Sequence, residues 1–70
     1  METGAIFSYR LRELRENRGI SIRQLAADLG MSHSTISLYE NGLREPTVSV
    51  CVNIADYFNV SVEPLVAAFS

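Results

Sequence analysis

All six basic side chains of this 70-residue chain are arginines, at positions 10, 12, 15, 18, 23 and 44. A guanidinium presents a planar fork of donors, so each suits a two-point contact with a phosphate or a carboxylate better than a lysine would. The rest of the reactive inventory is sparse, with His33 the single histidine and Cys51 the single cysteine. No nucleophile stands at a recognisable spacing from a base, and there is no glycine-rich phosphate loop and no carboxylate pair in an apolar setting. The chain therefore reads as a non-enzyme with no cofactor and no metal. A lone cysteine excludes an internal disulfide and a multi-cysteine metal site, and in an apolar helical stretch Cys51 reads as a packing thiol.

The elements that hold the remaining polar groups are clearest over residues 21–42, which read as two short capped helices about a tight glycine turn. Ser21 can accept from an unpaired first-turn N–H, and Gln24 three residues on would complete a capping box. Leu25, Ala26 and Leu29 fall on one face, and Gly30 follows, where a left-handed backbone ends a helix at least cost. Ser32 caps a second start, after which Ile36 and Tyr39 recur at helical spacing until Asn41-Gly42. Small Ala26 and Ala27 suit a close helix crossing. Two helices so joined have the layout of a DNA-reading helix-turn-helix, with its unit at about residues 21–40.

Three more helices flank the pair, and no stretch reads as a convincing strand. The first runs from about Ile6 to Asn17, with Phe7, Leu11 and Leu14 inward. Pro46 forbids helix at its predecessor and Thr47 caps a fourth helix over 48–58, with Val48, Cys51, Val52, Ala55 and Phe58 inward and Asn59 as a left-handed stop. Ser61 caps a fifth, whose first turn tolerates Pro64. The expectation is an all-α, five-helix single domain over residues 1–70. A domain this small buries only about 60% of its unfolded surface, so a partner subunit would help it.

The segment resembles the phage-repressor and Cro type of helix-turn-helix, the XRE family, through Gln24-Leu25-Ala26, Ser32-x-Ser34-Thr35-Ile36-Ser37 and Glu40-Asn41-Gly42. Leu11 to Glu16 with Gly19-Ile20 resembles the family's first helix, Arg44 to Thr47 the approach to its fourth, and Ile54-Ala55, Val60 to Val62 and Leu65-Val66 its closing helices. The similarity spans roughly residues 5–66. It implies a lambda-repressor-like fold and a sequence-specific transcriptional regulator, a repressor on a palindromic double-stranded DNA operator. It also implies an ion pair between Arg15 and Glu40 that braces the first helix against the recognition helix.

By the same correspondence His33, Ser34, Ser37 and Leu38 face base edges in the major groove. Their chemistry is uneven: the serines donate or accept, His33 can donate to guanine or a phosphate, and Leu38 can meet only a thymine methyl. Phosphate contacts are expected from the N–H groups opening the second and third helices and from Arg23 and Arg44, with Asn41 and Thr47 assisting and Arg10 weaker. Thr35 points either to a phosphate or into a local cap. The chain departs from the family with Ile22, Leu38 and Leu43 where polar or basic residues are common. Three readings of that set stay open: thymine-rich readout, an apolar patch for a protein partner, or burial against neighbouring loops.

Charge sharpens the choice between a DNA reader and an antitoxin-like or regulatory interaction module that reuses the fold. The net charge is −2; residues 1–23 carry five arginines against three acids, whereas residues 24–70 carry one arginine against five acids. Any cationic face must be local. Val62, Leu65, Val66 and Phe69, flanked by Tyr57, give an apolar face at the chain's end, and with it the family resemblance implies a homodimer on half-sites about 34 Å apart, unless Val62 and Leu65 close the monomer's own core. With no basic apolar leader and no long uncharged apolar run, the chain is expected to be cytoplasmic, and the family resemblance implies that it is bacterial or phage-encoded.

Overall fold

The computed structural model describes the backbone of residues 3–66 and the side chains of residues 6–66. Among these residues there are five helices and no strand: α1 (Thr3–Arg18), α2 (Ile22–Leu29), α3 (His33–Glu40), α4 (Val48–Phe58) and α5 (Glu63–Val66). The all-α fold expected from the sequence is the fold observed, although α1 starts at Thr3 rather than near Ile6.

Three hydroxyl residues start the helices they were expected to start. Ser21, Ser32 and Thr47 accept from the N–H groups of Gln24, Thr35 and Val50 at 3.0, 3.2 and 3.1 Å. Gln24 does not complete the expected capping box; its amide donates instead to Asp28 Oδ1 at 2.8 Å, one turn along α2. The helices also stop by a common device. In α3 the N–H of Gly42 returns to Tyr39 O at 3.1 Å and that of Leu43 to Leu38 O at 2.9 Å, with Gly42 left-handed at φ 71°. The same paired bonds close α1, α2 and α4, where Asn59 at φ 56° takes the place that glycine holds elsewhere.

One apolar cluster joins all five helices: Phe7 and Leu11, Leu25 and Ala26, Ile36 and Tyr39, Cys51, Ile54, Ala55 and Phe58, and Leu65. The Phe7 and Tyr39 rings meet edge to face, 5.5 Å between centroids, and so register α1 against α3. The buried face of α4 differs from expectation. Val48 and Val52 are 58% and 40% exposed while Ile54 is fully buried. Residues 51, 54, 55 and 58 form one helical stripe; Val52 stands about 100° round from Cys51, and Val48 lies a turn ahead where the chain leaves an exposed loop. Only one of the two alanines packs, since Ala26 is buried and Ala27 exposed.

A buried charge locks the frame. The Glu40 side chain, 2% exposed, receives Arg15 through a fork, Nε to Oε2 at 2.6 Å and Nη2 to Oε1 at 3.0 Å. Arg15 also donates from Nη1 to Ile20 O at 3.0 Å, so the same side chain ties the loop after α1. Arg12, unforeseen from the sequence, reaches Glu40 as well, with Nε 3.4 Å from Oε1 and Nη2 3.0 Å from the backbone O.

Removing Glu40 leaves the Arg15 guanidinium without its carboxylate, and removing Arg15 leaves the buried carboxylate only the longer contact from Arg12 at 3.4 Å. Glu40→Ala and Arg15→Ala should therefore each cost about 3 kcal/mol, lowering the melting temperature by roughly 12–24 °C in a domain of this size. Thermal unfolding followed by circular dichroism measures it, and a shift of under about 4 °C would show that the brace carries little. The hydrogen bonds that Arg15 donates to Glu40 raise the Arg15 pKa. Its contribution is thus present below the ordinary arginine range and lost only above it, leaving alkaline stability to other groups.

Burial pushes the Cys51 thiol up from its usual range. The unfolded chain then ionises first, so the stability of the neutral buried thiol holds below about pH 8.5 and is lost as pH rises through the folded value. Urea unfolding should show lower stability at pH 9.5 than at pH 7, and Cys51→Ala should reduce that slope whatever its absolute stability. An unchanged slope in the variant would assign the effect elsewhere.

Candidate nucleic-acid interface

The front of α3 is an array of donors without acceptors of their own. Ser32 takes two of the first-turn N–H groups, those of Thr35 through Oγ and Ile36 through its carbonyl, at 3.2 and 3.3 Å. The N–H groups of His33 and Ser34 have no helical carbonyl to meet, and both residues are exposed. Together with the helix dipole they make the start of α3 receptive to an anion or to a base acceptor.

The side chains expected to read bases lie along this helix with different freedom. His33 and Ser34 are open to solvent, whereas Ser37 and Leu38 are partly buried. Ser37 Oγ accepts from Asn41 Nδ2 at 3.4 Å, which leaves the hydroxyl hydrogen of Ser37 available to donate. Thr35 belongs to the cap, its Oγ1 lying 2.8 Å from Ser32 Oγ, and that is where the structure places it of its two expected roles. Thr47 likewise accepts from its own helix, at Val50 N.

The arginines separate into two groups. Arg12, Arg15 and Arg18 sit at three-residue intervals on α1, and each donates to a backbone carbonyl: Glu40 O, Ile20 O and Phe58 O respectively. Arg18 also stacks over the rings of Tyr57 and Phe58, 5.5 and 5.1 Å from their centroids. Arg10 pairs with Glu13 at 3.0 Å and lines an apolar groove with Val60, Pro64 and Leu65, towards α5 rather than towards α3. It stands two residues round α1 from Arg12, which faces α3, and its side chain is 47% exposed. Arg23 and Arg44 remain: both are exposed, and neither makes a hydrogen bond or ion pair with another described residue. The spacing of Arg12, Arg15 and Arg18 was the signal in the sequence for the two arginines that pairing had not foreseen.

The departures from the family pattern also part company. Ile22 packs against the core, Leu38 is partly buried, and Leu43 is 74% exposed. Of the residues expected at a dimer face, Leu65 is 1% exposed and closes the monomer's own core between α1 and α4, so it has nothing left to present. Tyr57 donates to Asp28 Oδ2 and lies edge-on to Phe58, 4.9 Å between centroids, so it is held within the monomer. Val62 and Val66 pack against the core but stay partly open, and Phe69 lies outside the described residues.

Sequence comparison accords with this geometry. Residues 11–65 match the helix-turn-helix family. A protein of Methanoregula boonei, provisionally named an HTH-type transcriptional regulatory protein, is 48% identical over 52 residues, covering 74% of this chain and 16% of its own length. Two Bacillus subtilis proteins are also similar. The uncharacterized HTH-type transcriptional regulator RghRB is 41% identical over 63 residues (89% of this chain, 45% of its own), and the HTH-type transcriptional regulator AnsR is 36% identical over 56 (80% and 48%). The chain thus spans less than half the length of each of these relatives. No solved structure matches it. Two capped helices about Gly30, braced through Glu40 to α1 and matched over residues 11–65, place this chain in the XRE-type helix-turn-helix family.

Proposed function

We propose that this chain is the DNA-reading part of a cytoplasmic transcriptional regulator, a repressor that binds a palindromic double-stranded operator as a homodimer with α3 in the major groove. The observation that carries this reading is the exposed front of α3, with the His33 and Ser34 N–H groups open. The two arginines without partners, Arg23 and Arg44, lie at the start of α2 and just after α3. His33, Ser34, Ser37 and Leu38 would meet base edges, and Arg23, Arg44 and Asn41 the phosphates, with the hydroxyls of Thr35 and Thr47 secondary to their caps. Contact between subunits would use Val62, just before α5, and Val66 on it, extended by Val60, which is 42% exposed. Within the described residues no helix is long and apolar enough to cross a membrane.

The exposure of Leu43, in a chain of net charge −2, favours one other reading: an interaction module whose protein partner covers Ile22, Leu38 and Leu43.

Selection from a randomised duplex pool at two salt concentrations separates the two. A DNA reader should enrich a palindrome, and with two free arginines per subunit its affinity should fall with salt at a log–log slope of about −3.6 per dimer. No enrichment and no salt dependence would sink the DNA reading. On the selected duplex, Arg44→Ala should weaken all sequences about equally, whereas Leu38→Ala should relax preference at one position, a discrimination of about 1–3 kcal/mol at most. A uniform loss from Leu38→Ala counts against base reading by that residue.

A further inference from the structure

The carbonyls that end α3 can be traced one by one. Ser37 O receives Asn41 N at 3.0 Å, Leu38 O receives Leu43 N at 2.9 Å, and Tyr39 O receives Gly42 N at 3.1 Å. The backbone of the following loop therefore closes three of the four orphan acceptors at this helix end. Glu40 O is the fourth, and it receives Arg12 Nη2 at 3.0 Å, from α1. Arg12 is not required to neutralise Glu40, because the Arg15 fork already does so at 2.6 and 3.0 Å; its own approach to the carboxylate is longer, at 3.4 Å. What Arg12 adds is a cation on the last carbonyl of the recognition helix, where the dipole is negative and the chain turns into the loop that bears Arg44.

We infer that Arg12 is a positioning residue: it fixes the C-terminal end of α3 and the 41–44 loop to α1, and through them sets where Arg44 meets a phosphate. The second clause rests on the DNA reading proposed above; the first does not. The Arg12 side chain is 48% exposed and Arg15 still covers Glu40 in its absence, so Arg12→Ala should fold. The effect belongs to one end of one helix. The matching turn after α2, where Met31 N bonds to Ala26 O at 2.9 Å, has no such outside cation among its hydrogen bonds and serves as an internal reference.

Two measurements test the inference. Amide hydrogen exchange without DNA should be about tenfold faster at Gly42 and Leu43 in Arg12→Ala, with Met31 and Val60 unchanged. Equal acceleration at all four amides, or none, overturns the positioning role. On the duplex selected with the wild-type chain, Arg12→Ala should bind about five- to tenfold more weakly, and the loss should largely vanish in the Arg44→Ala background, as expected when one residue acts through the other. Additive losses overturn the route through Arg44. Arg12→Lys separates charge from geometry: wild-type affinity with fast exchange at Gly42 and Leu43 would mean that the side chain acts by charge alone. If the wild-type chain selects no duplex, the DNA reading fails while the exchange result still decides whether Arg12 holds the turn.

Discussion

A carboxylate that is 2% exposed cannot stay ionised in a protein interior unless its oxygens are met by donors, and in this chain the donors for Glu40 come from α1. The requirement is geometric. Arg15 reaches both oxygens from one helical turn and Ile20 O from the same guanidinium, which fixes the axis of α1, the loop that follows it and the end of α3 relative to one another. Exchanging such a pair for apolar residues can leave stability unchanged, so its value lies in the single arrangement it permits. A reading helix must be held at one angle, and the Phe7–Tyr39 contact alone, being apolar, would tolerate several.

The arginines at 12, 15 and 18 extend the same logic along α1. Each meets a carbonyl that ends a helix or leaves one, so α1 acts as a rail of cations to which the ends of α3 and α4 are fastened. This use of charge explains the modest electrostatics of the molecule. Four of its six arginines are engaged within the fold, and Arg23 and Arg44 have no hydrogen bond or ion pair among the described residues. A chain can therefore be rich in a phosphate-binding side chain and still offer little cationic surface.

Much of the architecture was legible because it is written in neighbouring residues. Ser21, Ser32 and Thr47 act within three positions of themselves, and Gly30, Gly42 and Asn59 within five, so no knowledge of the packed fold was needed to place them. What depends on distant partners was harder. Helix α4 carries apolar residues on several faces, and spacing alone could not prefer Ile54 over Val48 and Val52. For Leu65 the pattern left open a dimer face or the monomer's own core, and only the packing of α1 and α4 over it decides for the core, while Tyr57 is bound by Asp28 of α2. Along the candidate interface, family correspondence placed Ser37 and Leu38 on the reading helix, but only the packed structure showed Asn41 on Ser37 and Thr35 in its cap.

Four of the helices end on their own following two residues, by the same pair of backbone bonds. Each stop is thus decided locally, before any helix meets another, and the contacts left for the chain to find are few. The Glu40 pairings with Arg15 and Arg12 span 25 and 28 residues, and the Arg18 contact with Phe58 O spans 40. Helical domains rich in local contacts fold in microseconds to milliseconds. A domain made this way has its helix ends set by their own neighbours, and the docking of α3 onto α1 is left to contacts distant in sequence.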